Sequence, residues 1–526
     1  MKILTASQMQ RIDRLSTERY GAPSLTLMEN AGRRVVEFLS ERFAPLERQR
    51  IAVLCGRGNN GGDGLVVARM LREQGLRPRV LLFADPGKVS GDAAVNLRRL
   101  ADSGMPEVIE TPEAWQKIKA SLEGTTLMVD ALLGTGLSKP LGGMLLQVAR
   151  ELNAELASAQ VVAVDLPSGI SADSGELIGE HVRADFSVTF TAPKIAHVFP
   201  PACECVGEWV VGQIGTPPEA LASDPDLLLN LACREDISWL ARPRKPDAHK
   251  GSYGHVLILA GSVGKTGAAA LAAKAALRAG AGLVTVATAE GALPTIASLG
   301  MEYMTVPLPQ TEAGTISLRA LDYGKMDKLL EGKTVLAIGP GIGTVPETAE
   351  LVRTLVNTRR LPVVLDADGL NAFAGCMDKF QSGGDLGDAI LTPHPGEMGR
   401  LAGLSTAEIQ AHRVETAREF ARKHQVNLVL KGFRTLTAAP DGQIWVNPTG
   451  NPGMATGGTG DVLTGMTAGL VAQYRNRPIN EVAAAAAFLH GLAGDVAVKE
   501  TGQASLIAGD LIDALPKAYR AVKSDE

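Results

Sequence analysis

The side chains of this chain best suited to chemistry are carboxylates and amides set beside glycine turns. In Gly56-Arg57-Gly58-Asn59-Asn60-Gly61-Gly62-Asp63-Gly64, the residues Gly56, Gly58 and Gly61 satisfy G-x-G-x-x-G between an apolar strand and a helical pattern. Such a turn offers the N–H groups of a helix start to phosphate. Asp63, expected at the start of that helix, competes for the same amides. The turn therefore reads as a nucleotide-type site unlike that of an ordinary Rossmann dehydrogenase. A second cluster is Asp130-Ala-Leu-Leu-Gly134-Thr135-Gly136-Leu137-Ser138-Lys139-Pro140, and a third is Asp165-Leu-Pro-Ser168-Gly169. Asp130 and Asp165 each close an apolar strand, where a carboxylate needs a partner or water. Asn60, Asp130 and Ser168 offer only hard oxygen ligands, which favours a group I or II cation over zinc. Gly134-Thr135-Gly136 is a second backbone-amide loop fit for phosphate. A single strand-end Asp also serves as a helix cap or turn residue; three such clusters at successive strand ends point to a site.

The second half carries a parallel set. Gly457-Gly458-Thr459-Gly460-Asp461 opens a long apolar helix. Its consecutive N–H groups form an anion hole for charge growing on a transferred phosphate, and Asp461 is placed as a base for a hydroxyl. Gly339-Pro340-Gly341-Ile342-Gly343, Asp366-Ala367-Asp368, Thr392-Pro393-His394-Pro395-Gly396-Glu397 and Lys431-Gly432-Phe433-Arg434-Thr435 each follow a predicted strand. Gly261-Ser-Val-Gly264-Lys265-Thr266 is a decoy. A P-loop needs four residues between its glycines, and here there are two.

The elements that must position these residues alternate between strand and helix. Strands are predicted over 51–55, 79–83, 126–130, 161–165 and 187–190, then over 255–260, 283–287, 334–338, 363–366, 389–391 and 427–430. Helices are predicted over 267–278, 407–423 and 459–472 among others. This alternation implies parallel sheets with right-handed crossovers, and so an α/β chain of two doubly wound domains. At 526 residues the chain is too long for one core. Proline, charge and lost periodicity predict a linker over 221–245. A net charge of −5 and 4% aromatics argue against a nucleic-acid partner. No signal pattern and no apolar run long enough to span a bilayer is read, so no membrane association is expected. Five scattered cysteines read as reduced cytoplasmic thiols.

GRGNNGGDG, VDALLGTGLSKP and VDLPSG, with Leu27-Met28-Glu29-Asn30-Ala31-Gly32, resemble the N-terminal domain of bifunctional NAD(P)H-hydrate repair enzymes. The resemblance implies a Rossmann-like three-layer sandwich over 1–220 that epimerises hydrated NADH and NADPH. Asn59, Asn60, Gly61, Gly62 and Asp63, with Gly134, Thr135, Gly136, Leu137, Ser138, Lys139 and Pro140, would hold the hydrate. Asn60, Asp130 and Ser168 would hold K+. Asp165 would contact the hydrate and is the first candidate acid/base; Lys139 is a weaker one. GGTGD is similar to the anion hole of ribokinase-like enzymes. With His249-Lys-Gly-Ser-Tyr-Gly-His255, GPGIG, TPHPGE and KGFRT, it resembles the ADP-dependent NAD(P)H-hydrate dehydratase. This implies a ribokinase-like domain over 246–526 with ADP as co-substrate and Mg2+ accompanying its phosphates. Lys431, Gly432, Phe433, Arg434, Thr435 and Gly460 would bind the nucleotide; Ala268, Gly341, His394 and Asp461 would contact the hydrate. A homo-oligomer is expected. Two alternatives stay open: a vitamin-type kinase in the second half, and a non-catalytic nucleotide-binding module in the first.

Overall fold

The computed structural model describes residues 1–383 and 387–523. The chain divides into two compact units, Met1–Leu227 and the remainder from Leu228.

The first unit is built on seven parallel strands: β1 (Ile51–Cys55), β2 (Arg79–Leu82), β3 (Glu107–Val108), β4 (Leu127–Ala131), β5 (Gln160–Val164), β6 (Phe186–Phe190) and β7 (Glu208–Gly212). Their order is β3-β2-β1-β4-β5-β6-β7, the doubly wound order with its switch point between β1 and β4. The central strands are apolar along their length because helices cover both faces. Along β1, Val53 and Cys55 join one buried cluster while Ala52 and Leu54 join the other. Neither edge strand, β3 of two residues nor the half-exposed β7 of five, is among the strands predicted from sequence.

The second unit holds ten strands: β8 (Leu229–Leu231), β9 (His255–Leu259), β10 (Leu283–Ala289), β11 (Met304–Leu308), β12 (Val335–Ile338), β13 (Val363–Leu365), β14 (Ala389–Leu391), β15 (Asn427–Leu430), β16 (Leu436–Ala438) and β17 (Ile444–Val446). Their order is β11-β10-β9-β12-β13-β14-β15-β16-β17-β8. The sheet is parallel except where β16 runs antiparallel to β15 and β17. The stretch predicted as a linker is structured: β8 pairs with β17, and Arg234–Ile237 is helical. Proline punctuation there marks tight turns between short elements.

The core of this unit is alanine-rich. Helices Thr266–Arg278 and Thr459–Gln473 pack so closely that a Cβ on Gly465 would sit 2.0 Å from the Ala272 carbonyl oxygen. Helix Ile479–Thr501 corrects one expectation. It is long and apolar enough by length and composition to cross a membrane, with mean hydropathy 1.4 in its best window. That window is 72% buried within the protein, with Val482, Phe488 and Leu489 in the core.

Candidate functional site

In each unit the singled-out residues gather where parallel strands end. In the first, the turn after β1 is shaped by close approach: a Cβ on Gly61 would lie 1.8 Å from the Gly56 carbonyl oxygen. The helix that follows starts earlier than predicted. It runs Asn59–Glu73 with Gly58 as N-cap, so Asp63 lies one turn inside it rather than at its start. Asp63 therefore does not compete for the first amides; its carboxyl is placed among other acids instead.

The proposed cation ligands are brought together. Asp130 is fully buried and accepts from Ser168 Oγ at 2.6 Å, Ser168 N at 2.8 Å and Leu132 N at 3.2 Å. Burial pushes its pKa up, opposed by these donors. Asn60 Nδ2 donates to the Leu133 carbonyl at 3.0 Å, and that oxygen lies 3.2 Å from Ser168 Oγ. Asn60, Asp130, Leu133 and Ser168 thus form one contiguous oxygen-rich nest. Gly134 packs on Asn60, whereas Gly136, Ser138, Lys139 and Pro140 lie on the exposed loop after β4.

Asp165 lies one residue beyond β5 with φ +64°, a left-handed conformation that a non-glycine residue adopts only under constraint. The constraint is visible. Its Oδ1 accepts from Lys194 Nζ at 2.5 Å and Thr189 Oγ1 at 2.8 Å. Its backbone oxygen is 3.0 Å from His197 Nε2. Lys194 N–H donates to His197 Nδ1 at 3.1 Å, which places the ring proton on Nε2. Burial, then the nearby Lys194 ammonium, holds the His197 pKa down to about 4, so the ring is neutral. Burial alone would raise Asp165, but Lys194 more than offsets it and the carboxyl stays below its ordinary range. Asp63 goes the other way. Burial, then the charges of Asp165 and Asp13, raise it well above the usual carboxylate value. Asp13, on helix Ala6–Glu18, is raised to about 6, first by burial.

The second unit repeats the theme with different wiring. Gly458, at φ +94°, caps helix Thr459–Gln473 and places Gly460 and Asp461 in its first turn. Lys431 follows β15 and donates to Asp366 Oδ1 at 2.8 Å, with Glu397 Oε2 at 3.8 Å. Asp366 Oδ2 accepts from Thr464 Oγ1 at 2.6 Å. Burial would lower the Lys431 pKa, but Asp366 and Glu397 reverse this and raise it. Asp461 has no ion pair within 4 Å among the described residues. Burial, then the repulsion of Asp366, pushes its pKa up to about 7. His394 caps helix Pro395–Ala402, accepting at Nδ1 from Gly396 N at 3.0 Å. Its Nε2 lies 3.5 Å from Glu397 Oε1, which ties it to the same carboxylate that faces Lys431. Gly341 and Ala268 are neighbours, since a Cβ on Gly341 would lie 3.2 Å from the Ala268 Cβ.

Lys431, Gly432, Phe433, Arg434, Thr435 and Gly460 all line one cleft of about 420 Å3. Phe433 is 60% exposed, with the Arg434 guanidinium 4.9 Å from its ring centre. Met454, Leu463 and Ala487 form an apolar wall, and His490 donates from Nε2 to the Thr459 carbonyl at 2.9 Å.

Two families match the chain. The family described as NAD(P)H-hydrate dehydratase covers residues 256–517, and the one described as YjeF-related protein N-terminus covers 24–196. The chain is 45% identical to the bifunctional NAD(P)H-hydrate repair enzyme Nnr of Moorella thermoacetica, over 100% of this chain and 98% of the relative. The Nnr of Escherichia coli is 32% identical over 99% of this chain and 94% of its own length. The chain belongs to the bifunctional NAD(P)H-hydrate repair enzyme family. Among solved structures, a Bacillus subtilis ADP/ATP-dependent NAD(P)H-hydrate dehydratase co-crystallised with ATP and Mg2+ is 34% identical with TM-score 0.49, covering 56% of this chain and 98% of its own.

Several side chains of the candidate sites escaped the sequence reading. Lys194, Thr189 and His197 come from β6 and the turn after it, and Asp13 from the first helix. Asp366 and Glu397 lay within noted motifs without being assigned a role. A lysine and a histidine three apart after a buried strand, in Lys194-Ile-Ala-His197, were the available signal.

Proposed function

We propose that the first unit epimerises R and S NAD(P)H hydrates, and that the second dehydrates the S form with ADP, releasing AMP and phosphate. The observation that carries this reading is a buried lysine–carboxylate pair at the strand ends of each unit, flanked by a second carboxyl whose proton affinity is raised. The family relation supplies the substrate class.

In the first unit, Asp165 stays ionised while Asp63 keeps its proton, so one site holds a base and an acid. Epimerisation at C6 of the nicotinamide ring requires both. An acid assists departure of the hydroxyl as the ring nitrogen pushes electrons toward C6. A base then takes a proton from the water that adds to the opposite face. Lys194 fixes Asp165 in position, and neutral His197 holds its backbone. The Asn60, Asp130, Leu133 and Ser168 oxygens fit a monovalent cation such as K+, which would supply charge for anchoring the substrate's phosphates.

In the second unit, Asp461 takes the proton of the C6 hydroxyl as that oxygen attacks the β-phosphorus of ADP. The α–β phosphoanhydride bond breaks and AMP leaves. Phosphorylation turns a poor leaving group into a good one; the C6–O bond then breaks, C5 loses a proton, and the dihydronicotinamide is restored. The Gly457–Asp461 turn offers N–H groups to the transferring phosphoryl, and Lys431 adds a fixed positive charge. Mg2+ would arrive on the phosphates of ADP: no three carboxylates cluster to hold it alone among the described residues, and Asp366 and Glu397 face Lys431. A homo-oligomer in a reducing cytoplasm belongs to this proposal; no cysteine is disulfide-bonded among the described residues.

The test is to supply mixed R/S NADH hydrate with ADP and Mg2+ and follow dihydronicotinamide absorbance. Full recovery with AMP and phosphate in step is expected. Recovery that stops at the S fraction would reduce the first unit to a binding module. No recovery, with a phosphorylated small alcohol released instead, would favour a vitamin-type kinase.

A further inference from the structure

The motif His249-Lys-Gly-Ser-Tyr-Gly-His255 takes no part in either reaction site. It leads into β9, whose first residue is His255, at the amino-terminal edge of the second sheet, whereas Lys431 follows β15 at the carboxyl edge. There His249 and Tyr253 help to wall a groove of about 910 Å3, within the size range of small-molecule sites. The chain has four Trp and six Tyr, and Trp239, Tyr253, Tyr474 and Tyr519 all line this one groove.

These aromatics hold cations in place. The Arg244 guanidinium lies 3.7 Å from the Tyr253 ring centre, and its Nη2 donates to the Gly280 carbonyl at 2.6 Å and to Gln473 Oε1 at 2.7 Å. Arg477 lies 4.2 Å from the Trp239 ring centre, with Tyr474 set edge-on to Trp239 at 4.5 Å. Tyr519 donates to the Ala279 carbonyl at 2.7 Å and closes the floor. Arg242, Lys245 and Arg278 complete the lining, and none of them has an ion pair among the described residues. Against five cations the lining supplies one carboxylate, Asp247, while Glu481 neutralises Arg477 from outside it at 2.9 Å. Such a concentration of positive charge in a chain of net charge −5 repels itself unless an anion enters.

We propose that this groove is a second ligand site, for a small oligophosphate, separate from the nucleotide cleft. Planar guanidinium groups match phosphate oxygens in pairs. Two of them are already immobilised on aromatic rings, so less side-chain freedom is lost on binding. The bounded groove suits a compact polyanion rather than a strand.

Calorimetric titration of the full chain with sodium tripolyphosphate tests this against R242E/R278E. Both residues are exposed and outside the two reaction sites, so hydrate repair and thermal unfolding should match the unaltered chain. The unaltered chain is expected to bind one equivalent more than the variant, and R242Q/R278Q should weaken that equivalent at least tenfold. Identical stoichiometry and affinity in all three chains would overturn the proposal. Repeating the titration with ATP separates the sources. An extra ATP equivalent lost in the variant assigns a nucleotide, and an extra equivalent seen only with tripolyphosphate assigns an inorganic chain. Single-stranded RNA displacing tripolyphosphate at lower concentration would overturn the small-molecule assignment.

Discussion

The two candidate sites use the same parts and differ in which carboxyl the lysine holds. In the first unit Lys194 sits on Asp165, the residue proposed for the chemistry, and the neighbouring Asp63 has its proton affinity raised, first by burial. In the second unit Lys431 sits on Asp366, and Asp461, the proposed base, is raised by burial and repulsion. Pairing, more than fold, therefore decides whether a site carboxylate is a standing base or one poised near neutrality.

Replacing each reactive carboxyl should break the comparison most sharply. Asp461→Asn should cut dehydration by about 10²–10⁴, with epimerisation unchanged. Asp165→Asn should do the reverse, leaving S hydrate consumed and R hydrate accumulating. Chiral chromatography of the residual hydrate reads both outcomes; loss of both activities from either variant would show that the sites are not independent.

Removing the lysines should come next in size. Lys194 is 1% exposed, so Lys194→Met strands a buried carboxylate and should destabilise the first unit by about 3–5 kcal/mol. The Lys431 side chain is 19% exposed, so Lys431→Met should destabilise less while abolishing dehydration. Denaturant unfolding of both variants gives the ranking.

The pH dependence is smaller and opposite in character. Asp461 must be ionised to accept a proton, and its pKa is raised to about 7. Dehydration should therefore fall about tenfold per unit below pH 7 and level off above it. Asp165 is held below its ordinary range, so epimerisation should not lose its base between pH 8 and 6.5. Parallel rate profiles for the two activities would contradict the pairing argument. Smallest of all, Phe433→Ala should raise the KM for ADP about fivefold at constant kcat, the low end of base–aromatic stacking.

Much of this was legible in the chain because glycine turns and strand-end carboxylates are local signals. Asn60, Asp130 and Ser168 were grouped from their turns alone, and the structure puts them in one nest. Gly432 to Thr435, given to the nucleotide by the family resemblance, line one cleft. What stayed hidden depends on pairing across the sheet. Nothing within a window of Asp165 announces Lys194, which arrives from the next strand, 29 residues on. β8, β16 and β17, together at one side of the second sheet, were lost as well: at three residues each they are too short for a period of two to repeat, and none is followed by a motif like the TPHPGE that marks the equally short β14. Asp63 was misplaced because the glycines at 61 and 62 read as turn, whereas buried packing holds them in helix.

The apolar helix Ile479–Thr501 has a consequence for how this unit fails. Its cover includes Leu511, Leu515 and Ala518 of the helix Ala508–Val522 that follows it. Fraying of that fifteen-residue helix would leave the side chains of both candidate sites in place and still present a greasy rod to the surroundings. Local opening there, far from the chemistry in sequence, is thus a route from a working enzyme to an aggregating one.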